Sequence, residues 1–213
     1  DVLLITSLFE GYHDDAVTGL SEIGQGVPTA VIHYDLIPAL NPEYLSVPSQ
    51  RVFYERRLNQ LARADRLLAI SEFSRGEAVS TLNLEAHRVI TISAAVAPGF
   101  LSPNGREQAA PNFRSSLRDW GVRDEFVLYV PGGFDARKNF ERLFAAYALL
   151  PDGLRQRYQL VITGKLDEGR TDLLMSYARA AGLTADDLVL VGYVTDKRLR
   201  DLYGHAALFV FPS

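Results

Sequence analysis

The sequence predicts an α/β protein with two parallel sheets that are joined by an irregular segment. Short apolar runs alternate with amphipathic stretches along most of the chain. These runs are continuously apolar, which is typical of strands buried on both faces of a parallel sheet. Proline and glycine are concentrated between residues 97 and 116, where the alternation stops. Strand and helix patterns resume after that segment, so we expect a second α/β domain there.

The first half of the chain predicts one of these sheets. Its helices are predicted at residues 14–24, at residues 49–64 and directly after Ser71. Ser71 is a plausible N-cap, because a serine side chain accepts a hydrogen bond from a free amide in the first helical turn. The strands are predicted at the apolar runs DVLLIT, PTAVIH, RLLAIS and HRVITIS.

The second half predicts the other sheet. An apolar stripe that begins at Phe140 indicates its first helix. The next helix is predicted to end just before Gly182, which would follow its C-cap. The last helix is predicted to be capped by Thr195 or Asp196. Strands are predicted at EFVLYV, YQLVIT, DLVLVG and ALFVFPS. Since one strand opens the chain and another closes it, we expect both sheets to be incomplete in this chain.

The domain boundary is predicted from the irregular segment. It contains three prolines and two glycines between residues 97 and 116, with little periodicity. We therefore assign residues 1–96 to the first domain, residues 97–123 to a linker and crossover, and residues 124–213 to the second domain.

Composition excludes several classes of function. The net charge is −4, so no overall basic field indicates nucleic-acid binding. The absence of cysteine excludes disulfides and thiolate metal sites. The four histidines lie in different segments without metal-ligand spacing, so no metal site is predicted. No apolar run approaches the 18 or so residues of a membrane span.

Known motifs for nucleotide and ester chemistry are also missing from the sequence. The phosphate-binding P-loop and the usual dinucleotide turn do not occur. Neither a D-x-D pair, which could carry Mg²⁺ with a diphosphate, nor a G-x-S-x-G nucleophile turn is present.

A candidate anion site follows the predicted strand EFVLYV. Gly132 and Gly133 allow a close approach to the backbone. Asp135 is a plausible N-cap, which would place Arg137 and Lys138 in the first turn of the next helix. Cations there face the positive end of the helix dipole, at a cost of about 0.3–1 kcal/mol each. A bound phosphate would explain them; a tight turn with a solvated basic pair is the alternative.

The lysines of the chain extend this site. Only three of the 22 basic residues are lysines, namely Lys138, Lys165 and Lys197. Each follows the carboxyl end of a predicted strand, where ligands bind in open α/β sheets. The pattern predicts a positive rim for a small polyanion. Chance placement is the alternative, and Lys197 also fits a solvated helix turn.

The second half resembles the donor-binding domain of retaining GT-B glycosyltransferases of family 4. The resemblance is closest to bacterial O-antigen and polysaccharide mannosyltransferases. Stretches of the first half resemble the acceptor domain of that family. The stretches that carry the resemblance are VLYVPGGFDARKNFERLFAAYALL, LVITGK and VGYVTDKRLRDLYGHAALFVFPS, together with SLFEGYHDDAV, YDLIPALNPEYL and ADRLLAISEFSR.

The resemblance implies two Rossmann-like domains with a nucleotide-diphosphate sugar bound between them. The sugar would pass to an acceptor hydroxyl with retention of configuration and without a metal. Lys138 matches the diphosphate-binding lysine of the family. The usual arginine falls on Gly133, and we infer that Arg137 takes its place. Tyr193 and Val194 match the loop that holds the nucleobase, and Gly132 and Lys165 complete the expected donor site.

On the acceptor side the family often has a His-Asp pair after the second strand. Here the pair reads Tyr34-Asp35, with His33 one position earlier, and these three residues are the expected catalytic group. The expected acceptor-side residues are Glu10, Gly11 and Ser71.

The resemblance also implies the partners. No cofactor is expected, and the co-substrate would be a nucleotide-diphosphate sugar, with GDP-mannose as the expected donor. The acceptor would be a glycan or a lipid-linked saccharide. A bacterial, cytoplasmic protein associated peripherally with the inner face of the membrane is expected. The glutamates that follow FPS in the family and its glycine-rich loop near the N-terminus are missing, so this stretch alone is expected to be inactive.

Two other functions remain open from the residues alone. A sugar-nucleotide epimerase would share the diphosphate site but need no acceptor. A non-catalytic α/β module, such as a response-regulator-like receiver, would need acidic residues at the strand ends. Glycine and lysine follow those strands here.

Overall fold

A computed structural model describes residues 1–12, 16, 18, 26–101 and 113–213 of the chain. The chain divides into two compact units, Asp1–Ala95 and Val96–Ser213. The helix predicted at residues 14–24 falls outside the described ranges.

The described part of the first unit contains a parallel sheet in the order β1-β2-β3-β4. The register joins Ile5 to Val31 and Val31 to Leu67, so these side chains share one face. The predicted strands of this half are confirmed. Their observed bounds are Leu3–Ile5 (β1), Thr29–His33 (β2), Arg66–Ala69 (β3) and Val89–Thr91 (β4).

The helices of the first unit cover the face that carries Val31 and Leu67. Leu61 and Ala78, one from each of the longer helices, are fully buried in the same core. The predicted N-cap is confirmed, because the Ser71 side chain accepts a hydrogen bond from the Ser74 amide at 3.0 Å. The described helices are Ile37–Leu40 (α1), Pro48–Arg63 (α2) and Glu72–Thr81 (α3).

The second unit contains a parallel sheet in the order β7-β6-β5-β8. Successive strands lie side by side from β5 to β7, and β8 then pairs with the opposite side of β5. This reversal of direction makes the crevice between β5 and β8 a topological switch point. The strands are Phe126–Tyr129 (β5), Gln159–Thr163 (β6), Leu188–Gly192 (β7) and Leu208–Phe209 (β8).

Helices cover both faces of the second sheet. Phe144 and Leu174 pack with Leu160 and Ile162 on one face. Phe113, Leu117 and Leu202 pack on the other. All five residues of β6 are buried, as expected for a central strand. The helices are Phe113–Asp119 (α4), Phe140–Ala148 (α5), Asp152–Arg157 (α6), Glu168–Ala180 (α7) and Asp196–His205 (α8).

Part of the predicted linker packs into the hydrophobic core of the second unit. Helix α4 lies within residues 97–123, and its Phe113 and Leu117 are each only 1% exposed. They are four residues apart and therefore lie on the same face of the helix. One short turn of apolar spacing after a proline-rich stretch was too weak a pattern to predict a helix. The boundary between the two compact units accordingly lies before the irregular segment, after Ala95.

This packing predicts a stability difference between two leucines of the second unit. Replacing Leu117 with alanine leaves a cavity in the core, and we expect a loss of about 2–5 kcal/mol in the free energy of unfolding. The same change at Leu149, which is 86% exposed, should alter the free energy of unfolding by no more than about 0.5 kcal/mol. Denaturant titration of both variants measures the difference, and equal values would show that α4 does not belong to the core.

Candidate functional site

The carboxyl ends of β5, β6 and β7 surround a cavity of about 500 Å³, which we call the strand-end cavity. Parallel pairing brings these strand ends to one edge of the sheet. The cavity brings together five of the seven residues predicted to bind the donor. They are Gly132, Gly133, Lys165, Tyr193 and Val194.

A shared carbonyl joins the loops after β6 and β7. The Thr163 hydroxyl and the Gly164 amide both donate to the Gly192 carbonyl, at 2.6 and 3.0 Å. The strand register shifts between Ile162 and Thr163, and Gly192 has a φ of +76°, a conformation that favours glycine. These contacts place Tyr193 next to the β6 loop, with its ring centroid 5.9 Å from the Lys165 Nζ.

Asp135 is an N-cap as predicted, but the prediction that it caps the following α-helix is wrong. Asp135 caps a short 3₁₀ turn, Ala136–Lys138, in which its side chain accepts a hydrogen bond from the Arg137 amide. Asn139 then has a φ of +57°, and α5 begins only at Phe140. A left-handed residue interrupts the helical path, and asparagine tolerates this conformation better than most residues. Arg137 and Lys138 therefore precede α5 and do not lie in its first turn.

Arg137 is engaged by a neighbouring carboxylate. Its Nε lies 2.8 Å from Asp135 Oδ1, and its Nη2 lies 3.4 Å from Oδ2. Burial alone would raise the pKa of Asp135, but the hydrogen bonds and charge of Arg137 hold that pKa below its ordinary value. A bound anion would have to compete with this carboxylate for the guanidinium.

Lys138 lies at the switch point between β5 and β8. Its Nζ is 5.8 Å from the centroid of the Phe211 ring, which follows β8. Its carbonyl accepts a hydrogen bond from the Tyr129 hydroxyl at 2.8 Å. The Asn139 side chain donates to the Pro212 carbonyl at 3.1 Å and links the two loops. The turn that carries Lys138 is therefore held from both sides of the crevice.

The three lysines occupy different positions around this edge. Lys165 lines the strand-end cavity, and Lys138 lies at the adjacent switch point. Lys197 is exposed in the first turn of α8 and is not among the lining residues. The predicted rim thus has two members close to the strand ends, while Lys197 fits the solvated alternative.

In the first unit, His33 is the last residue of β2 and is only 1% exposed. Burial lowers the pKa of His33 despite the nearby charges of Glu77 and Asp35, and so favours the neutral ring. Tyr34 is 51% exposed, and Asp35 is also exposed. Of the expected catalytic group, Tyr34 and Asp35 are the members that a substrate could reach in this structure.

Most of the residues near this strand end have clear structural roles. Asp35 Oδ1 accepts a hydrogen bond from the Ile37 amide at 3.0 Å, at the start of α1. Ser71 caps α3, as described above. Gly11 has a φ of +90°, and a Cβ there would lie 2.5 Å from the Ala16 carbonyl oxygen. Glu10 is exposed and accepts a hydrogen bond from the Ser7 hydroxyl.

Among the cavity-lining residues that were not predicted to bind the donor, four have polar or aromatic side chains. Thr163 could have been found as the polar residue that ends an apolar strand. No local signal pointed to the other three, because they reach the cavity only through the fold. They are Phe134, Arg170 and Asp196.

Among the described residues, no three side chains of the types that bind metals come close enough to hold an ion. No helix among those residues has the length and apolarity needed to cross a bilayer.

Comparison with known proteins assigns the second unit to a family. The family described as glycosyl transferases group 1 matches residues 115–213. That range contains every residue of the strand-end cavity and of the turn with Lys138. Residues 115–213 form a group 1 glycosyltransferase domain. The resemblance found in the sequence is therefore confirmed for this domain.

Relatives extend the similarity along the chain. The serotype-specific mannosyltransferase WbdA of Escherichia coli is 34% identical over 214 residues, which cover 100% of this chain and 26% of that protein. The O-antigen chain mannosyltransferase B of Escherichia coli is 33% identical over 174 residues, which cover 81% of this chain and 43% of that protein. The chain thus spans only about a quarter of the length of WbdA.

Solved structures confirm the predicted fold class. HepE of Anabaena in complex with UDP superimposes with a TM-score of 0.65 and 18% identity, over 99% of this chain and 53% of that one. At this identity the likeness concerns the fold alone. The two parallel-sheet α/β units are of the GT-B type, the fold of the glycosyltransferases among the solved structures that match this chain.

Proposed function

We propose that the full-length protein transfers a hexose from a nucleotide-diphosphate sugar to a glycan or lipid-linked saccharide. The observation that carries the proposal is the strand-end cavity of a group 1 domain, lined by Gly132, Gly133 and Lys165. Glycine leaves space for a ligand beside the backbone, and lysine supplies a charge for phosphate. The cavity lies beyond the carboxyl ends of the strands, where such ligands bind.

The diphosphate would be bound by two lysines from different loops. Lys138 comes from the turn at the switch point, and Lys165 from the loop after β6. Each charge-assisted contact of this kind contributes about 1.5–3 kcal/mol. Arg137 is a weaker candidate for the same role, because it is already paired with Asp135. Tyr193 and Val194, which also line the cavity, would hold the nucleobase.

The sugar and the chemistry are proposed from the relatives and from the family resemblance. Two relatives are named mannosyltransferases, which favours mannose as the sugar and GDP-mannose as the donor. Retention of configuration, independence of divalent metal, and action at the cytoplasmic face of the membrane follow from the resemblance alone. Tyr34 and Asp35 are the proposed catalytic groups.

The two alternative functions are less well supported. The relatives at 33–34% identity are named as transferases, which favours transfer to an acceptor over epimerisation of a free nucleotide sugar. A receiver module is disfavoured because the strand-end cavity carries Lys165 and Arg170 beside a single carboxylate, Asp196.

Product analysis of the full-length protein tests the reaction class. We expect mannose from GDP-mannose to appear on a saccharide acceptor, with unchanged yield when a chelator is present. UDP-glucose serves as the donor control and should give little product. Loss of turnover in the chelator would contradict metal independence. An altered free nucleotide sugar without any acceptor product would identify an epimerase.

Binding measurements test the role of Lys138. Replacing it with alanine in the full-length protein should weaken GDP binding about tenfold to a hundredfold, because one charge-assisted contact is lost. The matched control is Lys197→Ala, which removes an exposed lysine outside the cavity and should leave the affinity unchanged. Guanosine, which has no phosphate, should bind both variants and the parent equally. Calorimetric titration would refute the role if GDP bound Lys138→Ala as tightly as the parent.

A further inference from the structure

Lys165 is presented by a very tight turn after β6. The Leu166 amide donates to the Gly164 carbonyl at 2.9 Å, which closes a three-residue turn with Lys165 at its centre. Its side chain is exposed and lines the strand-end cavity. The position of its ammonium therefore depends on how firmly this turn is held.

Arg170, in the first turns of α7, holds the turn from one side. Its Nη1 donates to the Lys165 carbonyl at 3.2 Å and lies 3.2 Å from Asp167 Oδ2. Asp167 is also the N-cap of α7, since its Oδ1 accepts a hydrogen bond from the Arg170 amide at 2.8 Å. The guanidinium thus joins the carbonyl of Lys165 to the beginning of the helix.

Phe134, from the loop after β5, supports the guanidinium. Its ring centroid lies 5.6 Å from Arg170 Cζ, a cation–π distance, and its ring is stacked on Phe140 at 5.6 Å and 3°. A Cβ on Gly164 would lie 2.9 Å from the edge of the Phe134 ring, so only glycine permits this approach. The loops after β5 and β6 are therefore interlocked through Phe134, Gly164 and Arg170.

We propose that Arg170 is a positioning residue that holds Lys165 in place for the donor diphosphate. The inference rests on the proposed function, because it assumes that Lys165 binds phosphate. Phosphate binding costs conformational entropy, both in the lysine side chain and in the backbone of its turn. A turn that is already fixed in the free protein lowers the backbone part of that cost. Arg170 acts by fixing the carbonyl of Lys165, and its own charge is shared with Asp167.

A double-mutant cycle on the full-length protein separates positioning from direct contact. We expect Lys165→Ala to weaken GDP binding about tenfold, the loss of one charge-assisted contact. Arg170→Gln should weaken it about threefold to tenfold, within the coupling range of contacting residues. If Arg170 acts through Lys165, the double variant should bind GDP no more weakly than Lys165→Ala alone.

The matched control is Arg179→Gln. This residue is exposed on the same helix, about 13 Å along the axis from Arg170 at 1.5 Å per residue. It should leave GDP affinity unchanged. Guanosine should bind Arg170→Gln as tightly as the parent, because the inferred effect concerns the diphosphate.

The outcomes distinguish the inference from the proposed function. Additive losses in the double variant would show that Arg170 contacts the ligand itself and would overturn the positioning role. An unchanged affinity in Arg170→Gln, with a loss in Lys165→Ala, would overturn the inference and leave the proposed function intact. A parent protein that does not bind GDP would overturn both.

Hydrogen exchange supplies a test that needs no ligand. In the free protein, the amides of residues 164–167 should exchange faster in Arg170→Gln than in the parent or in Arg179→Gln, because the turn is no longer held. Equal protection in all three proteins would overturn the positioning role whatever the binding data show.

Discussion

The candidate site depends on the parallel pairing of β5 with β6 on one side and with β8 on the other. Parallel strands end at the same edge, so their following loops meet although they are far apart in sequence. The reversal of strand order at β5 separates the loop after β8 from the loops after β6 and β7. One edge therefore carries both the strand-end cavity and the crevice that holds Lys138. If β8 paired antiparallel, Phe211 and Pro212 would leave this edge.

The charges at this edge are not equivalent. Arg137 has a carboxylate partner in Asp135, and Arg170 shares its charge between Asp167 and a backbone carbonyl. Lys138 and Lys165 instead lie against the aromatic rings of Phe211 and Tyr193. An aromatic face competes less strongly for a cation than a carboxylate does. The two lysines are thus the better placed cations for a phosphate ligand, and Arg170 contacts the backbone carbonyl of Lys165.

Much of the fold could be predicted from local patterns. The continuous apolar runs indicated every described strand, since buried parallel strands need no polar face. Ser71 and Gly182 marked helix ends because capping depends on one or two residues; the Gly182 assignment is confirmed by its φ of +79° and by the bond from the Leu183 amide to the Ala178 carbonyl. Lysines after successive strands were enough to indicate a polar edge.

The remaining features depend on tertiary contacts that the sequence does not display. Helix α4 is specified by burial of Phe113 and Leu117 against the second sheet. The sequence before it has the composition of a linker. Helix α5 begins later than predicted because Asn139 adopts a left-handed conformation, which many asparagines do not adopt. Arg170 reaches the cavity only because Phe134 and the carbonyl of Lys165 lie beside it. His33 lies close to the expected catalytic position in sequence, yet the alternation of side chains along β2 points it toward the core.

A crystal structure of the full-length protein with GDP tests the central claim most directly, because it locates both phosphates. We predict that the diphosphate lies beside Gly132 and Gly133, with the ammonium groups of Lys138 and Lys165 about 2.7–2.9 Å from its oxygens. A diphosphate bound away from the carboxyl ends of β5 and β6, with both lysines remote from it, would show that this edge of the sheet is not the donor site.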